Sequence, residues 1–330
     1  MSRRGTAVAI ALLLGAALVA AGCGLGPGSK VGSVDLTVTR EFGAVKVTES
    51  SGEANESDTV MRFLEREVDE LETRYGGGYV KSIDGIEESE RGGHPYDWFF
   101  YVNGVESPIG AAEVSLKGGE RIWWDMHDWS ATAHVPAVVG SWPAPFTTGW
   151  EGHTPAVVVE CEGGGDACAS VREALEGEGV KMVSGSPKGA IRVLVGPWAK
   201  VRADPAAALI EGGPAESGVY AEFAPARGGA TGESGPAGRA AGSAGPADTW
   251  DLVGLDENGR ETRMFGPEAG LVAATRHFEG PPVWLVTGGT VGAVRAAAEA
   301  LDADDLRDHY AVESEAGTVT PLPLRSGSSG

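Results

Sequence analysis

Residues 97–104, Asp-Trp-Phe-Phe-Tyr-Val-Asn-Gly, are the stretch that decides the fold of the first half of the chain. The final Asn-Gly pair is a strong signal for a tight hairpin turn, so the aromatic run before it is predicted as a β-strand. Side chains alternate across a strand, which puts Trp98 and Phe100 on one face of a sheet. Phe99 and Tyr101 then lie on the other face. That second face is either covered by the rest of the chain or is an exposed aromatic surface that binds a ligand.

The sequence around this strand predicts a small β-rich domain with one main helix over residues 33–130. The helix is expected to be capped at Ser57 or Asp58 and to run to residue 74, because apolar side chains recur at helical spacing. Alternating or β-branched runs predict the strands. They cover residues 34–40, 46–48, 79–83, 96–102 and 121–125.

The order of these blocks resembles one known module. The blocks are the helix from Thr59, Gly78-Tyr79-Val80-Lys81-Ser82-Ile83-Asp84-Gly85, Asp97 to Gly104, Gly110-Ala111, and Lys117-Gly118-Gly119-Glu120-Arg121-Ile122-Trp123-Trp124. Together they resemble the transcobalamin C-terminal-like domain, the "domain of unknown function 4430" family. The resemblance implies a β-rich module similar to the cobalamin-contacting domain of transcobalamins, and bacterial members that are secreted or surface-anchored.

The same resemblance implies where a ligand would bind, with a corrinoid as one candidate. In transcobalamins the ligand is held between this module and a large helical domain, which this sequence lacks. The implied ligand-binding residues are Tyr79, Trp98, Tyr101, Asn103, Trp123 and Trp124.

The N-terminus has the layout of a bacterial lipoprotein signal. Arg3 and Arg4 precede an apolar run that ends in small residues before Cys23. This pattern predicts a signal peptide over residues 1–23 and lipidation of Cys23, with residues 24–32 as a flexible tether. We therefore expect the protein at the extracytoplasmic face of the cell membrane, attached through its lipid.

The overall charge is strongly negative, with 47 acidic and 26 basic residues and a net charge of −21. Phosphate backbones are bound by clustered Lys and Arg, so nucleic acid is not an expected partner.

Cys161 and Cys168 remain once Cys23 is assigned to lipid. Residues 155–160 are predicted as a strand and residues 167–178 as a helix capped by Asp166, so a disulfide would span the corner between them. The alternative is a reactive Cys168, whose thiolate would be favoured at a helix N-terminus.

The second half of the chain predicts a connector over residues 131–154 and an α/β region over residues 155–325, so the fold class is α+β. Its elements follow a βαββαβ order typical of a ferredoxin-like layer, then a hairpin and an extra strand–helix unit. These elements cover residues 155–160, 167–178, 180–183, 191–195, 204–211, 218–223, 250–265, 271–276 and 283–287, with a helix after Val291. Residues 228–248 are rich in Gly, Ala, Pro and Ser and are predicted to be a disordered insertion.

No catalytic pattern is found, so an enzyme is not expected and no cofactor is predicted. Asp125, His127 and Asp128 suggest a metal site, but two or three mixed ligands with no distant partner are a weak pattern. A polar strand end is the simpler interpretation, and no metal is predicted. Gly288–Gly292 is interpreted as a tight turn, because its spacing differs from that of a dinucleotide-binding loop.

Two functions are compatible with these observations. The first is a lipid-anchored, non-catalytic protein that binds a small ligand on its aromatic domain. The alternative is a cell-envelope adaptor or transporter accessory protein that binds protein or peptidoglycan. Residues 193–198 resemble one strand of sporulation-related peptidoglycan-binding repeats, which favours the alternative.

Overall fold

The structure is a computed structural model that describes residues 28–185, 187–226 and 249–325. The predicted signal peptide and lipidation site, and the predicted insertion 228–248, lie outside these residues. Within them, no helix is long and apolar enough to cross a membrane. The first strand begins at Lys30, so residues 30–32 of the predicted tether belong to a strand.

In the first half of the chain, the described residues from 28 onward form nine strands and one α-helix, α1 (Val60–Glu67). The strands are β1 (Lys30–Arg40), β2 (Val45–Asn55), β3 (Leu71–Arg74), β4 (Tyr79–Ile83), β5 (Ile86–Glu87), β6 (Ser89–Arg91), β7 (His94–Val102), β8 (Val105–Glu106) and β9 (Arg121–Asp128). They form a six-stranded sheet in the order β2-β1-β9-β7-β6, with β8 paired to β7, and a small sheet β3-β4-β5. The predicted hairpin at residues 103–104 is confirmed, since both residues have positive φ.

The predicted helix 58–74 is wrong in its second half. Helix α1 is capped by Thr59, whose side chain accepts from the backbone N–H of Arg62, and it ends at Glu67. Asp84 then accepts from the backbone N–H groups of residues 69 and 70 at 2.9 and 3.0 Å, and Leu71 pairs with Ile83. Pairing with β4 therefore replaces the helical continuation that the apolar spacing suggested.

The second half of the chain contains a second six-stranded sheet. Its strands, with those of a separate three-stranded sheet, are β10 (Val157–Cys161), β11 (Ile191–Pro197), β12 (Ala221–Pro225), β13 (Trp250–Leu255), β14 (Glu261–Gly266), β15 (Gly270–Thr275), β16 (Val283–Gly288), β17 (Ala311–Glu315) and β18 (Thr318–Leu322). The helices are α2 (Ala167–Gly177), α3 (Trp198–Val201), α4 (Pro205–Ala208), α5 (Pro214–Ser217), α6 (Val291–Glu299) and α7 (Ala303–Leu306), with a 3-10 turn at Leu209–Gly212. The large sheet has the order β10-β11-β16-β15-β17-β18, and β12-β13-β14 form the small one.

The mixed α and β content is as predicted, but the ferredoxin-like arrangement is not confirmed. Strand β12 is not part of the large sheet and pairs with β13 instead. The predicted strand 180–183 makes only one bridge, between Met182 and Val157. Strands β17 and β18 were not predicted. The disulfide joins Cys161 to Cys168 across the β10–α2 corner, as predicted, with 6.1 Å between the Cα atoms.

One apolar cluster joins the first sheet to the second half of the chain. It contains Tyr101 and Trp123 from the first sheet and Tyr220, Leu255 and Tyr310 from the second half of the chain. The aromatic strand β7 is therefore covered on both faces: by α1 on one side and by the second half on the other.

Candidate functional site

Four of the six residues implied as ligand-binding lie on the first sheet, two on each face, whereas Tyr79 is on β4 of the small sheet and Asn103 is in the β7–β8 turn. Trp98 and Trp124 pack beneath α1 and are 6% and 3% exposed. Tyr101 and Trp123 have no exposed surface and lie against the second half of the chain. Their contact with a ligand stays a prediction, because their faces are filled by protein in this structure.

Tyr79 and Asn103 have structural partners. The Tyr79 hydroxyl donates to Asp97 Oδ1 at 2.6 Å, and the indole of Trp129 donates to the other oxygen of that carboxylate at 2.9 Å. Burial and the adjacent Asp97 raise the pKa of Tyr79 above its ordinary value. Asn103 donates to the carbonyl of Gly149 at 2.8 Å and accepts from the N–H of Arg121 at 2.9 Å, tying the connector to the hairpin.

A polar network lies in the middle of the aromatic cluster that covers the second face of the first sheet, centred on the fully buried Asp125. Its carboxylate accepts from Thr39 Oγ1 at 2.5 Å and from Tyr310 hydroxyl at 3.2 Å, and it lies 2.9 Å from His127 Nδ1. Tyr101 hydroxyl is 3.3 Å from that of Tyr310. Burial raises the pKa values of both tyrosines, so they stay protonated and can donate.

The same carboxylate also holds the turn between β1 and β2. It accepts from the backbone N–H groups of Phe42 and Gly43, both at 3.0 Å. Glu41 and Phe42 have φ of 57° and 58°, a left-handed conformation that non-glycine residues rarely adopt. Asp125 thus stabilises a strained turn, which explains its burial without a metal ion.

The metal interpretation of this strand is not supported by the geometry of the described residues. No group of three or more His, Cys, Asp or Glu side chains within them could hold a metal ion. Asp125 and His127 do share a face, as predicted, but Asp128 lies on the opposite face and contacts His94 Nδ1 at 2.8 Å.

Ser130, His94 and Asp128 lie within hydrogen-bonding distance, yet they do not form a catalytic relay. Ser130 Oγ is 3.1 Å from His94 Nδ1, the same ring nitrogen that faces Asp128. A nucleophile–base–acid arrangement needs the two partners on opposite ring nitrogens. Ser130 instead donates directly to Asp128 through both its hydroxyl and its backbone N–H.

A cavity of about 470 Å³ opens beside the network, at the edge where the two sheets meet. The first sheet contributes the rings of Phe42 and Tyr96 and the carboxylate of Asp128, and the second half contributes His309 and the segment 320–325. The volume is typical of a small-molecule site, and such sites occur preferentially at domain interfaces. We call this space the interlayer cavity.

The interlayer cavity combines flat apolar walls with charged groups at its rim. The guanidinium of Arg91 lies 5.0 Å from the centre of the Tyr96 ring, and Arg325 pairs with Glu41 at 3.3 Å. Burial lowers the pKa of His309, whose Nδ1 is buried and has no partner among the described residues.

Tyr310 and His309 were missed by sequence reasoning. The available signal was the hairpin pattern that follows them, Val312 to Val319 with Ala316-Gly317 at the turn, which predicts two strands. Tyr96 begins the predicted strand 96–102 and Trp129 follows the predicted strand 121–125, but their partners could not be assigned from spacing.

Comparisons with solved structures give matches that cover about 30% of the chain. The crystal structure of a "putative metal binding protein" from Ruminococcus gnavus ATCC 29149 is 17% identical, covers 29% of this chain and 97% of its own, and has a TM-score of 0.23. Haptocorrin in complex with Cbi is 12% identical, with 30% of this chain and 26% of haptocorrin covered and a TM-score of 0.24. No curated protein matches the chain.

The family comparison agrees with the resemblance seen in the sequence blocks. The matched segment begins just before α1 and ends with β9, and so contains the aromatic strand and both of its hairpins. Residues 57–128 of this chain match the model of the family described as "Domain of unknown function (DUF4430)".

Proposed function

We propose that this chain is an extracytoplasmic lipoprotein, anchored through Cys23, that binds a small ligand without catalysis in the interlayer cavity. The observation that carries the proposal is the cavity itself: about 470 Å³, with walls from both halves of the chain and mixed aromatic and charged lining. Such a lining suits a molecule with a flat ring and at least one charged or hydrogen-bonding group.

A corrinoid is the first ligand to test, because the transcobalamin-like resemblance implies one. Purified protein would be titrated by calorimetry with cobinamide and with cobalamin. Tyr96→Ala removes an aromatic wall of the interlayer cavity and is expected to abolish the binding heat. Tyr75→Ala is the matched control, since this tyrosine is 87% exposed on a hairpin tip and is not among the cavity residues.

The outcomes separate the ligand from the site. No heat with either corrinoid at high micromolar concentration would reject the corrinoid, and a thermal-shift screen of smaller flat anions and cations would follow. Binding that survives Tyr96→Ala unchanged would reject the interlayer cavity as the site. The anchor is tested separately by mass spectrometry of the N-terminal peptide and by the loss of membrane association in Cys23→Ser.

The alternative, binding to peptidoglycan or an envelope transporter, stays a prediction. The segment 193–198 that suggested it is a buried strand end, with Val195 and Trp198 fully covered. No feature of the described residues favours this alternative over ligand binding.

A further inference from the structure

Three loop tips carry large apolar side chains that are exposed to solvent. Tyr75 is 87% exposed at the β3–β4 turn, Phe278 is 86% exposed between β15 and β16, and Ile109 is 49% exposed after β8. Large apolar side chains at exposed loop tips do not contribute to the stability of the folded protein. Where such side chains form a contiguous patch, the patch marks an interaction surface.

The three tips lie at the same end of the molecule. A Cβ on Gly110 would lie 3.7 Å from the carbonyl oxygen of Gly78, so the Ile109 tip adjoins the hairpin that carries Tyr75. On the other side, the buried guanidinium of Arg276 donates to the carbonyls of Glu106 and Gly280 at 3.4 and 2.7 Å. These bonds hold the Phe278 loop next to the segment that leads to Ile109.

The N-terminal end of β1 reaches the same surface. Gly118 packs on Val31 so closely that a Cβ there would lie 2.2 Å from the Val31 carbonyl oxygen. The next residue back, Lys117, donates to the carbonyl of Gly152 at 2.7 Å. Residue 151 in turn pairs with Arg276 at 2.6 Å, beneath the Phe278 loop.

The length of chain before β1 limits how far this end can be from a lipid anchor. Lys30 is seven positions after Cys23. Seven residues span at most about 25 Å when fully extended. The end that carries the three tips is therefore the end held nearest to a membrane if Cys23 is lipidated.

We propose that Tyr75, Ile109 and Phe278 form a membrane-contact surface that rests on the lipid headgroups of the anchoring bilayer. This inference rests on the proposed lipidation of Cys23. Aromatic side chains are favoured at the membrane–water interface. The carboxylates of Glu106 and Glu113, which line one cavity together with Ile109, disfavour anionic lipid. The surface therefore suits a zwitterionic bilayer.

The surface also orients the interlayer cavity. Glu41 and Phe42, which line it, follow the far end of β1, an 11-residue strand. At about 3.3 Å per residue the strand spans roughly 35 Å, so the cavity faces away from the bilayer.

The test uses a spin label on the full chain, expressed, lipidated by its host and reconstituted in phosphatidylcholine vesicles. An introduced cysteine is the only free thiol, because Cys161 and Cys168 form a disulfide and Cys23 carries lipid in the proposal. The probe is His277→Cys, beside an intact Phe278. The control is Ala316→Cys, an exposed hairpin tip at the opposite end of the same sheet.

We expect vesicle incorporation to reduce collisions of the label with a water-soluble nickel chelate at position 277 but not at 316. Adding Phe278→Ser to the probe variant should restore the collisions. Equal accessibility at 277 and 316 on floated vesicles would overturn the surface alone. If the label at position 277 stays protected from the nickel chelate in the Phe278→Ser variant, the membrane-contact surface is also overturned. A chain that does not float with vesicles would refute both the lipid anchor and the surface.

Discussion

The two faces of the first sheet are built from the same alternating strands but are stabilised differently. The face beneath α1 is apolar: Phe100 and Trp124 stack at 4.9 Å, and the covering helix lies nearby in sequence. The opposite face contains the Asp125 network and is covered by Tyr310, which lies 209 residues after Tyr101.

The alternation of aromatic residues along a strand therefore predicts that both faces of the sheet are buried. It does not predict which segments of the chain cover each face. The first face is covered by a neighbour in sequence, which periodicity can suggest. The second is covered by distant residues and uses directional hydrogen bonds, so its partners are specified by geometry that a local pattern does not contain.

The largest effect is expected from Asp125→Ala, which breaks the second face at its centre. It leaves the N–H groups of Phe42 and Gly43 without their acceptor in a strained turn, and we expect the free energy of unfolding to fall by about 3–5 kcal/mol. Urea denaturation measures it. The control Asp35→Ala, an exposed acid on β1, should change stability by less than about 0.5 kcal/mol. Similar losses in both variants would contradict the central role of Asp125.

Trp123 and Trp124 are adjacent in sequence but lie on opposite faces of the first sheet, so substituting each one compares the stability of the two faces. Trp123 Nε1 donates to Thr39 Oγ1 at 2.7 Å, whereas Trp124 Nε1 has no partner among the described residues. Replacing either ring with Phe removes similar volume, but only Trp123→Phe breaks a buried hydrogen bond. We expect it to cost about 1–3 kcal/mol more than Trp124→Phe in chemical denaturation. Equal costs would show that the two faces are stabilised alike.

Tyr310 and Tyr220 both have buried hydroxyls on the layer that covers the second face, and they test how much the hydrogen bonds there contribute to stability. Tyr310→Phe removes contacts with Asp125 and with His127 Nδ1, the latter at 3.0 Å, and should destabilise by about 1–2 kcal/mol. Tyr220→Phe removes a buried hydroxyl that has no partner among the described residues, so it should be neutral or slightly stabilising. Thermal unfolding of both variants checks the difference, and a larger loss for Tyr220→Phe would reject the network.

The smallest expected effect is a pH dependence from His309, on the layer that covers the second face. Burial lowers its pKa in the folded state below the ordinary 6.5, so the unfolded chain binds the proton more tightly. The contribution of His309 is fully present above about pH 6.5 and is lost as the pH falls below that value towards the folded-state pKa. His309→Gln should therefore flatten the fall in stability below pH 6.5 relative to the unmodified chain. An unchanged pH profile would show that His309 is solvated like a surface residue.

Much of the local structure followed from the sequence. The hairpin at Asn103-Gly104, the strands around it and the Cys161–Cys168 disulfide were predicted because their signals are short-range. The second half of the predicted helix failed because Leu71 fits a helical stripe equally well, and only its pairing with Ile83 selects the strand.

The interlayer cavity could not be predicted in the same way. Its walls come from the β1–β2 turn, from β7 and β9, and from the segment around β18. Phe42 enters it through a left-handed backbone conformation that depends on Asp125. No spacing rule links these segments, because their proximity arises only when the two sheets pack.

The separation between Tyr101 and Tyr310 has a consequence for biosynthesis. A ribosome adds about 5–20 residues each second, so the later tyrosine is made roughly 10 to 40 s after the earlier one. During that interval the native cover of the aromatic side of the nascent domain is incomplete. The packing of this face of the first sheet is therefore completed only when nearly the whole polypeptide has been synthesised.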